Sequence, residues 1–434
     1  MSQTDAGLQP SFAEALGVWL RIGLTSFGGP AGQIAMMHRV LVDEKKWLDE
    51  QTYLLALNFC TLLPGPEAMQ LATYSGWRLH GVKGGLAAGL LFVLPGATLI
   101  LALSALYAAY GSVPLVSALF TGIKAAVLAI VIEALFKISK RALKDRTAYI
   151  IAALSFAAIF LFGLPFPLIV LAAAAFGYFR ATATDADLAA RTTPAPVPVT
   201  QTFATLGIWL AIWIVPLAAV MAVLGTEHVL SKLAVFFSTL AIVTFGGAYA
   251  VLAYMAQEAV QTHGWLTAAD MLNGLGLAET TPGPLILVTE FVGYLAAYRT
   301  AGTGSRLAMG ITGALVTLWA TFAPCFLYIF AGAPYIEWLK NAPKLRSALA
   351  AITAAVVGVI LNLSVWFALH VLFRTVEDVR WGPMHLAVPD VASIDWTAAV
   401  IAVVAAILLF RFHLGIMTTL AICAALGLAA RFAV

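Results

Sequence analysis

"LLPGPE" at residues 62–67 and "TTPGPL" at residues 280–285 each set two prolines around one glycine inside an apolar stretch. Proline removes a backbone N–H and glycine weakens a helix, so each triplet marks the end of one helix and the start of another. The distance between the two triplets is 218 residues, and it decides the architecture. Sliding the chain on itself by that offset lays "SFGGP" at 26–30 on "TFGGA" at 244–248 and "KWLDE" at 46–50 on "GWLTA" at 264–268. From residue 25 to residue 66 no gap is needed, and 13 of 42 positions are identical. With an insertion in the second copy, "IKAAV" at 123 falls on "ITAAV" at 352. The chain reads as a tandem duplication with copies at 14–140 and 232–372.

Hydrophobic residues make up 62% of the 434 residues and charged residues 10%, where soluble domains carry about 25% charge. Apolar runs long enough to cross a bilayer recur at 84–110, 114–138, 207–224, 307–330, 348–372, 396–410 and 414–430. The expected class is an all-α polytopic membrane protein. The opening residues carry no basic n-region and no cleavage site, so no removed signal peptide is expected. Around the two copies lie a tail at 1–13, connecting segments at 141–231 and a loop with a C-terminal helical hairpin at 373–434. The connecting segments include a linker near 181–203 and one extra helix at 204–224. Whether the short segments at 147–162 and 165–180 both cross fully is left open. Cys60, Cys325 and Cys423 all lie in apolar segments without ligand spacing and read as packing residues. There is no P-loop, nucleophile elbow or paired His/Asp cluster. An enzyme is not expected, nor are a cofactor, a metal or a nucleic-acid partner.

The pieces beside the breaks are short. A helix over 14–27 covers about 21 Å, too little to cross, which suggests a re-entrant hairpin with its tip at mid-membrane. The same reasoning applies to 51–63 and 67–79, with one discontinuous spanning helix as the alternative. With re-entrant units and a cytoplasmic N-terminus, sixteen of the 24 Lys and Arg fall on the cytoplasmic side and six outside, with Arg21 and Lys124 inside the membrane. That is the excess the positive-inside rule requires. The extra helix at 204–224 supplies the odd crossing that inverts the second copy.

Pro30, Pro66 and Pro284 look like helix restarts, and Ala248 occupies the fourth such place. Each restart aims unpaired N–H groups and a positive dipole end at the membrane centre, where they attract anions. Phe27, Gly28, Gly29, Pro30, Pro64, Gly65, Pro66 and Gln70 are therefore candidate anion contacts, with Phe245, Gly246, Gly247, Thr281, Pro282, Gly283 and Pro284 in the second copy. The plain alternative is that the breaks only kink helices. Intramembrane charges are the other candidates. Lys124 would attract the anion. Arg21 would contact it bidentately, or pair with Glu133 or Glu67. Glu67 and Glu290 are candidates for proton coupling; the alternative readings are a simple dipole cap for Glu67 and a water-filled vestibule faced by Glu290 and Glu279. His38, His80 and His413 read as interfacial. Trp47 and Trp265 recur in both copies and read as hairpin feet.

"FGGPAGQIAMMHR", "KKWLDE" and "LLPGPEAMQLATYSGWRLHG" in the first copy, with "TFGGAYAVLAYM" and "GWLTAADMLNGLGLAETTPGPL" in the second, resemble the signature stretches of the chromate transporter family. The resemblance covers both copies. The second copy departs from it in lacking the proline of "FGGP", and 145–230 carries little of the signature. The resemblance implies a bacterial inner-membrane protein that exports chromate, a tetrahedral dianion, and we expect secondary active transport by alternating access. The alternative is a transporter or exchanger of sulfate or a related oxyanion, or an anion channel. The expected partners are a chromate- or sulfate-like dianion, protons and the lipid bilayer. A homodimer is left open.

Overall fold

A computed structural model describes residues 10–180, 199–245, 248–302, 304–336, 343–382 and 384–433. The chain is helical nearly throughout. In order, α1 is Phe12–Thr25, α2 Gly29–His38, α3 Glu50–Leu62, α4 Glu67–Tyr110, α5 Pro114–Ala142, α6 Arg146–Phe162, α7 Phe166–Arg180 and α8 Val199–Leu224. Then follow α9 Val229–Val243, α10 Ala248–Ala256, α11 Ala268–Thr280, α12 Val288–Arg299, α13 Arg306–Gly332, α14 Pro343–Leu372, α15 Trp396–Phe410 and α16 Ile416–Ala433. Among these, α4, α5, α8, α13 and α14 are long and apolar enough to span a membrane. This is an α-helical polytopic membrane protein. α4 is itself interrupted, since His80 (φ −134°) and Gly81 (φ 62°) leave the helical region and divide it into 67–79 and 82–110.

Local structure repeats at the offset of 218. A π-helical turn at Arg39–Glu44 is matched by one at Gln257–Thr262. After the first, the Lys45 amide donates to the Val40 carbonyl and the Trp47 amide to that of Leu41, both at 2.9 Å. After the second, His263 donates to Glu258 and Trp265 to Ala259, both at 2.8 Å. The next helices start with one capping device in which the residues are exchanged. Asp49 accepts from the amide (2.8 Å) and hydroxyl (2.6 Å) of Thr52. In the second copy the threonine comes first: the Thr267 amide and hydroxyl donate to Asp270 at 2.8 and 2.6 Å, and the Asp270 amide returns a bond to the Thr267 hydroxyl. Side chain and backbone thus satisfy each other's unpaired groups.

The chain forms two compact units, each drawing on both copies. The first comprises Met1–Ala102, Thr182–Ala248 and Thr281–Pro343. Within it α12 packs closely on α13, because Gly293 puts no side chain in the way. A Cβ there would lie 2.4 Å from the Thr317 methyl, which is the small-residue packing favoured between membrane helices. α8 contains Pro216, which cannot donate to the Ile212 carbonyl one turn earlier. The Trp319 indole of α13 donates to that carbonyl instead, at 3.1 Å. The second unit comprises Leu103–Ala181, Tyr249–Thr280 and Lys344–Val434. There α5 packs on α16 through Gly122, where a Cβ would sit 1.8 Å from the Cys423 carbonyl oxygen.

Two features differ from the reading of the sequence. The expected loop after 372 contains an antiparallel ribbon, β1 Val376–Trp381 paired with β2 Met384–Pro389 in the register Val376↔Pro389. Gly382 (φ 60°) supplies the left-handed turn residue. The extra helix starts at Val199, inside the expected linker 181–203. The linker residues before Val199, like most of the 1–13 tail, lie outside the described residues.

Candidate functional site

The first unit gathers residues from all four breaks. α1 ends at Thr25, and Gly28 (φ 87°) and Gly29 (φ 71°) turn the chain into α2, whose start has Pro30 in its first turn and no side-chain cap. α3 ends at Leu62, and Leu63 runs extended into Pro64-Gly65-Pro66 before α4 begins. α9 ends before Thr244 and Phe245, while Gly246 and Gly247 lie outside the described residues. Thr281-Pro282-Gly283-Pro284 leads into a single 3-10 turn at Leu285–Leu287 ahead of α12. Gly65 (φ 103°) and Gly283 (φ 92°) both occupy the region that glycine alone enters freely.

Two hydrogen bonds join the breaks reciprocally. The Gly65 amide donates to the Thr244 carbonyl at 3.0 Å, and the Gly283 amide donates to the Ser26 carbonyl at 2.9 Å. Ser26 and Thr244 are equivalent positions in the two copies, as are Gly65 and Gly283. Each copy therefore closes the other's break. Gln33, on α2, adds to this clasp: its side-chain amide donates to the Gly283 carbonyl at 2.6 Å and to the Ser26 carbonyl at 3.3 Å. Gln70 donates to the Pro64 carbonyl at 2.7 Å. Since a carbonyl can only accept, both side chains are held amide-first. Their oxygens are buried without a hydrogen-bond partner among the described residues. Gly96 of α4 backs the clasp, and a Cβ there would lie 2.1 Å from the Pro282 carbonyl oxygen.

The glycine amides of both PGP triplets thus have protein acceptors. Phe27 is 39% exposed and Gly28, Gly29, Pro30 and Pro64 are half-buried, as is Phe245 in the second copy, whereas Gly65, Pro66 and Thr281 to Pro284 are buried. By helix geometry the first-turn amides of α2 have no acceptor within the helix. Glu67 is half-buried in the first turn of α4. Arg21 pairs with Glu44 at 3.7 Å, and its side chain is 60% exposed. Glu133 pairs with Lys137 at 2.6 Å. Glu290 and Glu279 are buried rather than set in an open vestibule. Glu290 is 1% exposed with Oε2 unpartnered among the described residues, and Glu279 accepts from the Tyr249 hydroxyl at 2.9 Å. Lys124 belongs to the second unit. His38, read as interfacial, lies between two carboxylates, Glu50 at 2.6 Å and Asp43 at 3.5 Å. The sequence reading missed Gln33 because its equivalent is Val251, so the repeat gave no hint of it.

The family model for chromate transporters matches residues 13–178 and 231–428. The chain is 33% identical over 358 residues to a chromate transport protein of Pseudomonas aeruginosa, covering 81% of this chain and 79% of that one. It is 30% identical over 346 residues to a chromate transport protein of Cupriavidus metallidurans, covering 79% of each. An uncharacterized transporter of Methanocaldococcus jannaschii is 26% identical over 366 residues, which is 83% of this chain and 86% of that one. No solved structure matches.

Proposed function

Because the chain belongs to the chromate transporter family, we propose that it is a secondary active exporter of chromate in the bacterial inner membrane. The observation that carries this reading is the reciprocal clasp, Gly65 to Thr244 and Gly283 to Ser26. It joins the broken helices of each copy to those of the other, and a transporter built on inverted repeats has its substrate site at the interface between the repeats. In this reading the two copies lie in opposite orientations and the broken units are re-entrant.

The dianion binds at the half-open first-copy breaks. The uncapped start of α2 supplies N–H groups and the positive dipole end, and Gly28 and Gly29 allow close backbone approach. The orphan oxygens of Gln33 and Gln70 accept from water carried with the anion. The membrane potential supplies a driving force, since each elementary charge is worth roughly 2.3 kcal/mol per 100 mV and a dianion about twice that. Glu290 is the stronger candidate for a coupled proton, because it is buried and one of its oxygens lacks a partner among the described residues. Glu67 is the second candidate.

The test is flux in proteoliposomes holding chromate, with the potential and the pH gradient imposed separately and sulfate offered as competitor. Chromate flux driven by an inside-negative potential is expected. Sulfate transported in preference to chromate would reassign the substrate, and a lack of flux of either anion under both gradients would end the transport reading.

A further inference from the structure

The second unit holds a cavity of about 250 Å3 lined by Thr121, Lys124, His370, Arg374 and Asp395, among others. Its charged groups come from three separate elements. Lys124 lies on α5, Arg374 just beyond the end of α14, and Asp395 just before α15. The backbone fixes the last two: the Arg374 amide donates to the Ser393 carbonyl at 3.0 Å, and the Asp395 amide to the Leu372 carbonyl at 2.8 Å. Asp395 has two tasks. One oxygen caps α15 through the Ala398 amide at 3.0 Å, and the other faces Arg374 Nε at 3.5 Å. Lys124 is half-buried yet has no carboxylate within ion-pair distance among the described residues. The equivalent position in the second copy is Thr353, whose hydroxyl donates to the Leu349 carbonyl of its own helix. Packing of the repeat therefore does not call for a lysine here, and keeping an unpaired ammonium half out of water is costly. His370 cannot supply a counter-charge. Its Nδ1 is bonded to the Trp366 carbonyl at 2.8 Å and must carry the proton, since that carbonyl only accepts.

Two cations, Lys124 and Arg374, line the cavity with one carboxylate, Asp395, and Asp270, outside the lining, is the other carboxylate whose charge reaches Lys124. The cavity has room for several waters' worth of volume. We propose that it is an oxyanion site in its own right, taking a free tetrahedral dianion such as sulfate or chromate between Lys124 and the Arg374 guanidinium. The dianion displaces Asp395 from Arg374 as it binds. A guanidinium fork matches two oxygens of such an anion. The inference borrows from the transport reading only the class of anion.

Equilibrium binding of radioactive sulfate to the full-length protein in detergent tests it. Lys124→Met is expected to lose one equivalent of bound sulfate, and Arg374→Gln, at an exposed position, to weaken that equivalent about tenfold. Asp395→Asn keeps a good helix cap but removes the competing charge, so it is expected to tighten binding severalfold. The site is overturned if the wild-type, Lys124→Met and Arg374→Gln isotherms superimpose. It is also overturned if chloride at equal ionic strength competes as well as sulfate does. A site that takes up sulfate only when phosphatidylglycerol is absent from the micelle belongs to a lipid headgroup, which overturns the free-anion assignment. Wild-type flux with unchanged variant isotherms sinks this site alone, whereas absent flux with the expected isotherms sinks the transport reading alone.

Discussion

Gln33 holds one amide against two carbonyls, those of Ser26 and Gly283, one from each copy. Gln33→Leu leaves both buried acceptors without this donor, at a cost of about 1–3 kcal/mol. A lower thermal midpoint in detergent is expected, and an unchanged midpoint would show that the clasp holds without the side chain. Gly96→Ala should do more harm, because the added methyl meets the Pro282 carbonyl oxygen at 2.1 Å and backbone cannot swing aside as a side chain can. Failure to accumulate as a monodisperse protein is the expected readout. Glu290→Gln keeps shape and removes the titrating proton. Under the proposed coupling, flux driven by a pH gradient falls close to zero while voltage-driven flux persists, and an intact pH response would move the proton elsewhere. Little of this was legible in the sequence. The glycines and prolines of the breaks announced themselves, since their effect on a helix is local. Gln33 and Gly96 did not, because their importance arises from partners far along the chain. Lys124 stands out in the sequence as a charge inside an apolar run, but Arg374 and Asp395, which line the same cavity, are not visible from its own helix.

The helices that follow the two π-helical turns start with one device written in two orders, Asp49 with Thr52 and Thr267 with Asp270. Asp49→Ala removes a cap worth about 1 kcal/mol. The Thr52 hydroxyl, and then the Thr52 amide, hold the Asp49 carboxyl below its ordinary value of 3.8. A depressed folded value means that the stabilisation is present above the unfolded value and is lost as pH falls through the folded one. The penalty of Asp49→Ala should therefore be full at pH 7 and vanish in strong acid, and a penalty independent of pH would argue against an ionic cap. Asp49→Thr combined with Thr52→Asp copies the second order into the first copy and should restore most of the loss. The repeat offset could have revealed this exchange, since "DxxT" lies over "TxxD", but a search for identities passes over it. The ribbon β1–β2 was missed for a different reason. In a chain dominated by helical apolar runs, the short alternating segments on either side of Gly382 read as a connection.

At the scale of the whole molecule, the proposed inversion of the second copy makes a sharp prediction. Cysteines placed at Arg39 and Gln257, the first residues of the two π-helical turns, should react with an impermeant reagent from opposite faces of the membrane. Labelling of both from one face would refute inversion. The clasp also bears on how the protein is made. Gln33 and Gly283 are 250 residues apart, so the first copy enters the bilayer with its breaks still unclosed. At roughly 5–20 residues per second of synthesis, the wait lasts on the order of ten to fifty seconds. During that interval the Ser26 carbonyl and the Gln33 amide must find temporary partners in the insertion machinery or in water dragged into the membrane. The young chain is therefore most vulnerable to quality-control proteolysis in the stretch of translation just before Gly283 emerges.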